Sequence, residues 1–236
     1  MRTAARFARA AAIGCLVGSA GLAPLTAAAA SHESPAELSR LEARHALLLA
    51  RHRPDLVVAW GVNAPTGENF MALSETNIDS HAHVLRALLD RVGSLPPSPR
   101  ADSLRARLTR ELAETEPGGA LRRDALLWLD IVASAARAPL TSGKPGGCAR
   151  TIRVARQLRT VPEALRGAAI LLRGAPPPNG RAFEERVSRV EWLFRKDLPS
   201  RTEPCKEPRR LAEFVRADTL AGKALAAFRR RITPAP

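Results

Sequence analysis

The sequence predicts an all-α fold, an irregular helical bundle of about seven to eight helices around a buried central helix. Valine and isoleucine nowhere alternate with polar residues over the length of a strand, whereas leucine and alanine recur at the spacing of one helix face. Stretches rich in proline and glycine separate these runs. The 236 residues suffice for one helical domain, residues 31–236, after a leader of residues 1–30.

The central helix is predicted over residues 121–138, the most apolar stretch after the leader. Apolar side chains lie on nearly every side of it, which is typical of a buried helix. Pro139 is expected to end it. We expect the three tryptophans, Trp60, Trp128 and Trp192, to be buried anchors of the bundle.

Residues 1–30 have the pattern of a secretory signal peptide. Arg2, Arg6 and Arg9 precede an apolar stretch over residues 10–25, and small residues follow it. Cleavage is expected near Ala30, which predicts a periplasmic or secreted protein without a transmembrane segment in its mature part. The alternative is a lipoprotein modified at Cys15, although Arg9 leaves almost no apolar stretch ahead of that cysteine.

Four helices are predicted before the central one, over residues 34–51, 54–61, 74–92 and 102–116, with loops at 62–73 and 94–99. Ser34 and Glu37 have the spacing of a capping box at the first helix. Ser74 is expected to cap the third helix and Gly93 to end it. The leucines of the first helix share one face with His45, and those of the fourth lie one turn apart.

After the central helix, residues 149–158 and 160–173 predict a pair of helices. Thr160 and Glu163 have capping-box spacing around Pro162, so a new helix start is favoured over one kinked helix. Further helices are predicted over residues 182–197 and 208–232. Their inward-facing residues are predicted to be Phe183, Val187, Val190, Phe194, Leu211, Phe214, Val215, Ala221, Leu225 and Phe228.

Cys148 and Cys205 are the two cysteines that remain after cleavage of the leader. An even pair in an exported protein suggests a disulfide. Each cysteine is expected in a loop just before a helix, so the two can approach each other. The alternative is a pair of unrelated thiols.

The remaining sequence contains no catalytic, cofactor-binding or metal-binding motif that we recognise. His81 and His83 point to different sides of a helix, and no HExxH pattern is present. The glutamates are expected to be solvated charges with arginine neighbours, for instance Glu111 with Arg107. We therefore expect no catalytic residues, no cofactor and no metal.

The formal net charge is +14, and arginine far outnumbers lysine. The arginines lie on the polar side of almost every predicted helix and are not interleaved with aromatic residues, as a nucleic-acid surface requires. Solvated helix faces explain this pattern more simply than a nucleic-acid partner.

Several segments together suggest a relationship to a known family. They are the turn over residues 54–61, the helix opening at Leu73 and Ser74, the segment RRDALLWLD at 122–130 and RQLRTVPEAL at 156–165. Their order resembles the N-terminal half of the family catalogued as domain of unknown function 885, exported bacterial proteins similar to zinc metallopeptidases. The resemblance implies a zinc helix of HExxPGH type in a C-terminal half. This sequence has no such segment, so no site residue carries over.

The sequence thus favours a non-catalytic exported helical protein that binds a peptide or a partner protein in a groove between helices. One alternative is a truncated or split metallohydrolase or peptidase that needs a zinc-binding partner half. Another is a basic module that binds anionic polymers, whose affinity would fall steeply with salt.

Overall fold

The computed structural model describes residues 33–64, 70–141, 147–202 and 205–233, and the described part contains helices and no strand. The predicted leader, with Cys15 and Ala30, lies outside it. The helices are α1 Glu33–His52, α2 Pro54–Ala59, α3 Ile78–Gly93, α4 Pro99–Thr115, α5 Ala125–Thr141, α6 Gly147–Leu171, α7 Gly180–Trp192, α8 Leu198–Thr202 and α9 Pro208–Ile232. A 3₁₀ turn at Ala120–Arg122 precedes α5, and a π-helical turn at Leu193–Asp197 joins α7 to α8 without a break. With α7 and α8 counted as one continuous helix, the described residues form eight helices, which confirms the predicted bundle of seven to eight.

Helix α5 lies in the larger of two hydrophobic cores, built mainly from α5, α6, α7 and α9. Trp128 is 1% exposed, and its indole N–H donates a hydrogen bond to the carbonyl of Leu121 at 2.8 Å. The predicted central helix and its tryptophan anchor are therefore confirmed. The helix begins later than predicted because the Asp124 carboxylate accepts the N–H groups of Leu126 and Leu127 and so caps the first turn.

Two helix boundaries predicted from proline are wrong. Helix α5 runs through Pro139 to Thr141, and α6 is one helix of 25 residues with Pro162 inside it. Proline removes one backbone hydrogen bond and costs about 3 kcal/mol within a helix. Leu158 and Leu165, on either side of Pro162, are both buried in the larger core, and burying two such side chains offsets that cost.

Helix α9 spans the predicted residues and packs along α6. Phe214, Ala221, Leu225 and Phe228 are buried as predicted. Leu211 and Val215 are exposed, contrary to the prediction, because α9 presents Phe214 and Ala217 to the core in its first turns.

The smaller core is formed by one face each of α1, α3 and α4. Helix α3 begins at Ile78 rather than Ser74, since the Asn77 side chain accepts the N–H of Ser74 and closes a turn before the helix. Helix α4 begins earlier than predicted, at Pro99, where the Ser98 hydroxyl caps the N–H of Ala101. The core consists of Leu38, Leu41, Leu85, Leu88, Val92, Ala101, Leu104 and Leu108.

A disulfide joins Cys148 to Cys205 and closes a loop of 57 residues in sequence separation. It confirms the predicted pairing. Cys205 precedes α9 as expected, but Cys148 lies within the first turn of α6 rather than in a loop before it. The bond therefore ties the start of α6 to the entry of α9. Within the described ranges, no helix has both the length and the apolar character of a membrane span.

Candidate functional site

The least expected feature of the structure is a buried carboxylate shared by two histidines. Glu111 of α4 is fully buried, and its two oxygens lie 2.8 Å from Nε2 of His45 on α1 and 3.0 Å from Nε2 of His81 on α3. An ionised carboxylate can accept hydrogen bonds but cannot donate them, so each imidazole carries a hydrogen on Nε2 and donates it to Glu111. One side chain thus links three helices through charge-assisted hydrogen bonds.

The surroundings keep Glu111 ionised. Burial alone would raise the pKa of its carboxyl, but the hydrogen bonds from His45 and His81 outweigh burial and lower that pKa to about 2. His52 packs its ring against His81 with 4.8 Å between centroids, and its Nδ1 lies 2.8 Å from the carbonyl oxygen of Met71. Burial, followed by the charge of His81, lowers the pKa of His52 to about 4, so this ring is neutral at pH 7.

Arg53, the residue after His52, carries a second buried charge. The Arg53 guanidinium, 0% exposed, donates two hydrogen bonds to Asp55, at 3.0 and 2.8 Å, and its third nitrogen lies 2.6 Å from a Glu114 oxygen. Burial alone would lower the pKa of Arg53, but the two carboxylates raise it, so the charge is retained. We call His45, His81, Glu111, Arg53 and Glu114 together the polar seam.

The polar seam holds α1, α3 and α4 at fixed positions relative to one another. A carboxylate that fixes an imidazole is also how enzymes orient a general base. The rings of His45 and His81, however, are almost completely buried, which favours a structural role. In the part of the chain that the structure describes, no group of three histidine, cysteine, aspartate or glutamate side chains is arranged to hold a metal ion.

The second candidate site is a groove of about 500 Å³ between α5 and α7, which we call the α5–α7 groove. Trp192 stands at its rim and is 56% exposed. Arg186 forms an ion pair with Asp130 across the groove, whereas neither Arg137 nor Arg189 has an ion-pair partner among the described residues. The groove is lined by Asp130, Ala133, Arg137, Arg186, Ser188, Arg189, Val190 and Trp192.

The prediction that Trp192 is a buried anchor is wrong, and the local helix geometry supplies the reason. Phe183, Val187 and Val190 of α7 face the core at helical spacing, and Phe194 continues that face in the π-helical turn. Trp192, two residues after Val190, therefore points away from the core. A π-helical turn directly after an exposed indole is notable because such turns are frequent at functional sites.

Of the other predicted anchors, Trp128 is buried but Trp60 is only partly so. Trp60 lies 6.1 Å from the His45 ring, and the guanidinium of Arg107 lies 6.0 Å from the indole. Arg107 was predicted to pair with Glu111, but its guanidinium lies within reach of the Trp60 ring face instead.

The polar seam was not predicted from the sequence, and the expectation that Glu111 is solvated is wrong. The spacing of apolar residues along α3 and α4 does indicate the polar seam. Glu111 shares a face with Leu104 and Leu108, and His81 lies between Ile78 and Leu85 on the buried side of α3. A charged residue at a core position of one helix and a histidine at a core position of another indicate a buried pair.

The fold and the two sites define an all-α bundle with a buried ionic cluster and an arginine-lined surface groove. No family model matches the chain, and comparisons with curated proteins and with solved structures return no match either. The resemblance to the N-terminal half of the domain of unknown function 885 family therefore stays a prediction.

Proposed function

We propose that the protein is a non-catalytic, exported binding module that holds an acidic peptide segment of a partner protein in the α5–α7 groove. The observation that carries the proposal is the exposed Trp192 indole beside Arg137 and Arg189. Tryptophan and arginine are the residues most enriched among those that dominate binding energy in protein interfaces.

The chemistry of the groove supports a ligand with both apolar and acidic groups. Asp130 is already paired with Arg186, so the two remaining guanidinium groups give the groove a positive charge that no described residue pairs with. Ala133, Val190 and the indole provide an apolar wall. The volume of 500 Å³ lies within the range of about 300–1,000 Å³ that ligand pockets usually span. An aspartate or glutamate beside a leucine or phenylalanine matches this lining.

Export is supported by two independent features. Residues 1–30 have the composition of a signal peptide. The disulfide between Cys148 and Cys205 is a bond that persists in oxidising compartments such as the bacterial periplasm and is rare in the cytosol. Expression of the full chain in a bacterial host, followed by mass spectrometry, tests this point. We expect a mature protein that begins at Ser31, and a chain that keeps its first residues in the cytoplasm would contradict it.

The binding proposal is tested with labelled synthetic peptides in which glutamates and aspartates flank a single phenylalanine or leucine. Fluorescence anisotropy of the purified mature protein measures their affinity. We expect saturable binding that Trp192→Ala weakens by roughly tenfold or more, since truncating an anchor residue of an interface costs about 2 kcal/mol or more. Arg137→Gln and Arg189→Gln should weaken binding less, and more salt should reduce their effect.

Matched controls separate the groove from the general basic surface. Leu211→Ala removes an exposed apolar side chain of α9, and Arg105→Gln removes an arginine that pairs with Asp102 on α4. Both variants should bind the peptides as the wild type does. If no acidic peptide binds, or if polyphosphate or DNA binds equally well to wild type and Trp192→Ala, the groove proposal is overturned in favour of a diffuse basic surface.

A further inference from the structure

A separate cavity lies at the end of the bundle where α6 and α9 end. It measures about 230 Å³ and is lined by arginines from three different parts of the chain. Arg123 follows the 3₁₀ turn, Arg173 follows α6, and Arg231 lies in the last turn of α9. The remaining wall includes Ala125, Ala169, Leu172 and the proline run at 176–178.

The arginines of this cavity are unpaired within the part of the chain that the structure describes. No aspartate or glutamate belongs to its lining, and none of the three guanidinium groups has an ion-pair or hydrogen-bond partner among the residues the structure describes. The adjacent carboxylate, that of Asp124, is engaged in capping α5. All three arginines are exposed, so solvent screens their mutual repulsion, and each guanidinium group is accessible to an anion from solution.

A simpler explanation is that Arg173 and Arg231 stabilise the negative ends of the α6 and α9 dipoles, as basic residues near helix C-termini often do. That explanation does not account for Arg123. Arg123 precedes the N-terminus of α5, where a cation is unfavourable, and still lines the same cavity. The convergence of three elements thus points to a ligand rather than to capping alone.

We propose that this cavity is a binding site for a small polyvalent oxyanion of the phosphate class. A phosphate group carries a charge of about −1.5 to −2 and three acceptor oxygens, whereas a carboxylate has one charge and two oxygens. Arginine binds phosphate through paired N–H donors, so three guanidinium groups match a phosphate better than a carboxylate. The cavity is smaller than the range of about 300–1,000 Å³ usual for larger ligands.

The rigidity of the wall fits this assignment. Pro176, Pro177 and Pro178 restrict the backbone directly after Gly174, which turns the chain at the end of α6 with a φ of 77°. Arg173 is thereby held on a constrained turn rather than on a long free loop. A site whose backbone is fixed in advance loses less entropy when the anion binds.

The experiment is calorimetric titration of the purified mature protein with inorganic pyrophosphate, orthophosphate and acetate at fixed ionic strength. We expect saturable binding in the order pyrophosphate, orthophosphate, acetate. Arg123→Gln, Arg173→Gln and Arg231→Gln should each weaken pyrophosphate binding by roughly tenfold, equal to about 1.4 kcal/mol. Arg173→Lys should recover only part of the affinity, because lysine keeps the charge but not the paired donors.

The matched controls are Arg230→Gln on α9 and Arg156→Gln on α6, two exposed arginines outside the cavity that lower the net charge equally. Equal weakening by these controls, or acetate binding as tight as pyrophosphate, would overturn the proposal.

A further arm uses phosphatidylcholine vesicles with and without phosphatidic acid. Binding to the acidic vesicles that depends on Arg123 and Arg173, without binding of free pyrophosphate, would place the phosphate on a lipid headgroup and still support the site. Because none of these arginines lines the α5–α7 groove, failure here leaves the peptide proposal standing, and the reverse holds too.

Discussion

The two hydrophobic cores of this protein are stabilised by different chemistry. The larger core contains Trp128 and several phenylalanines and is closed by a disulfide. The smaller core has no aromatic member among its buried residues, and beside it lies the polar seam of buried ionised groups. Apolar burial is insensitive to pH, whereas ionised groups in a desolvated cluster depend on their protonation state. We therefore expect the region from α1 to α4 to lose stability as the pH falls.

The strongest test of this comparison is Glu111→Ala. The substitution leaves two buried imidazole donors without their acceptor and opens a cavity among α1, α3 and α4. Breaking a buried charged network costs about 3–5 kcal/mol, which should appear in the free energy of unfolding in urea. Glu116→Ala, at the residue that follows the same helix, removes an exposed pair with Arg86 and should cost less than about 1 kcal/mol. Similar losses for both variants would show that the polar seam has no special role.

The disulfide should provide the next largest effect, this time in the larger core. Replacing Cys148 and Cys205 by serine frees the entry of α9 from the start of α6. For a closed loop of this size we expect a loss of about 2–4 kcal/mol in the free energy of unfolding. A reducing agent should lower the stability of the wild type to that of the double variant and leave the variant unchanged. Wild-type stability that is unaffected by full reduction would contradict this account.

Acidification should act on the smaller core through His52. Burial and the neighbouring His81 lower the pKa of His52 to about 4, below its usual 6.5. The unfolded chain then binds the proton first, so stability is lost as the pH falls from 6.5 to 4, by up to about 3 kcal/mol. Denaturation followed across this pH range should show the loss. In His52→Asn, which keeps a donor towards the Met71 carbonyl but does not titrate, the slope should be smaller.

On α9, Asp218 is expected to make stability depend on pH in the opposite direction. Burial raises the pKa of Asp218 to about 6 from its usual 3.8, and its Oδ1 has no hydrogen-bond partner among the described residues. The folded state therefore loses stability as the pH rises from 3.8 to 6, because the unfolded chain releases the proton first. Asp218→Asn should raise the free energy of unfolding at pH 7 by about 1 kcal/mol, a value reduced to allow for solvent screening because the side chain is partly exposed. The gain should vanish near pH 4, and a gain that persists there would point to a cause other than ionisation.

The elements with the strongest helical pattern of apolar residues were the most predictable from the sequence. The span of α9, the core face of α7 and the burial of Trp128 were predictable, since long runs of apolar residues at helical spacing can be buried in only one way. The stops at Pro139 and Pro162 were not, because local proline rules say nothing about how much core a helix gains by continuing.

The site was less accessible to prediction than the fold. Trp192 looked like a core residue by type, but the π-helical turn that follows α7 and the register of Val190 and Phe194 leave it at a groove rim. Glu111 looked solvated because its sequence neighbours include arginines. Its actual partners, His45 and His81, are 66 and 30 residues away in the chain.

The sequence by itself determined the helical class, the apolar centre around Trp128 and the two cysteines available for pairing, because these depend on residue type and local spacing. Only the tertiary structure decided which charges are desolvated and which arginines border the same cavity. Electrostatic environment is a property of groups brought together from distant parts of the chain, and the arrangement of helices that brings them together is not encoded in any one segment.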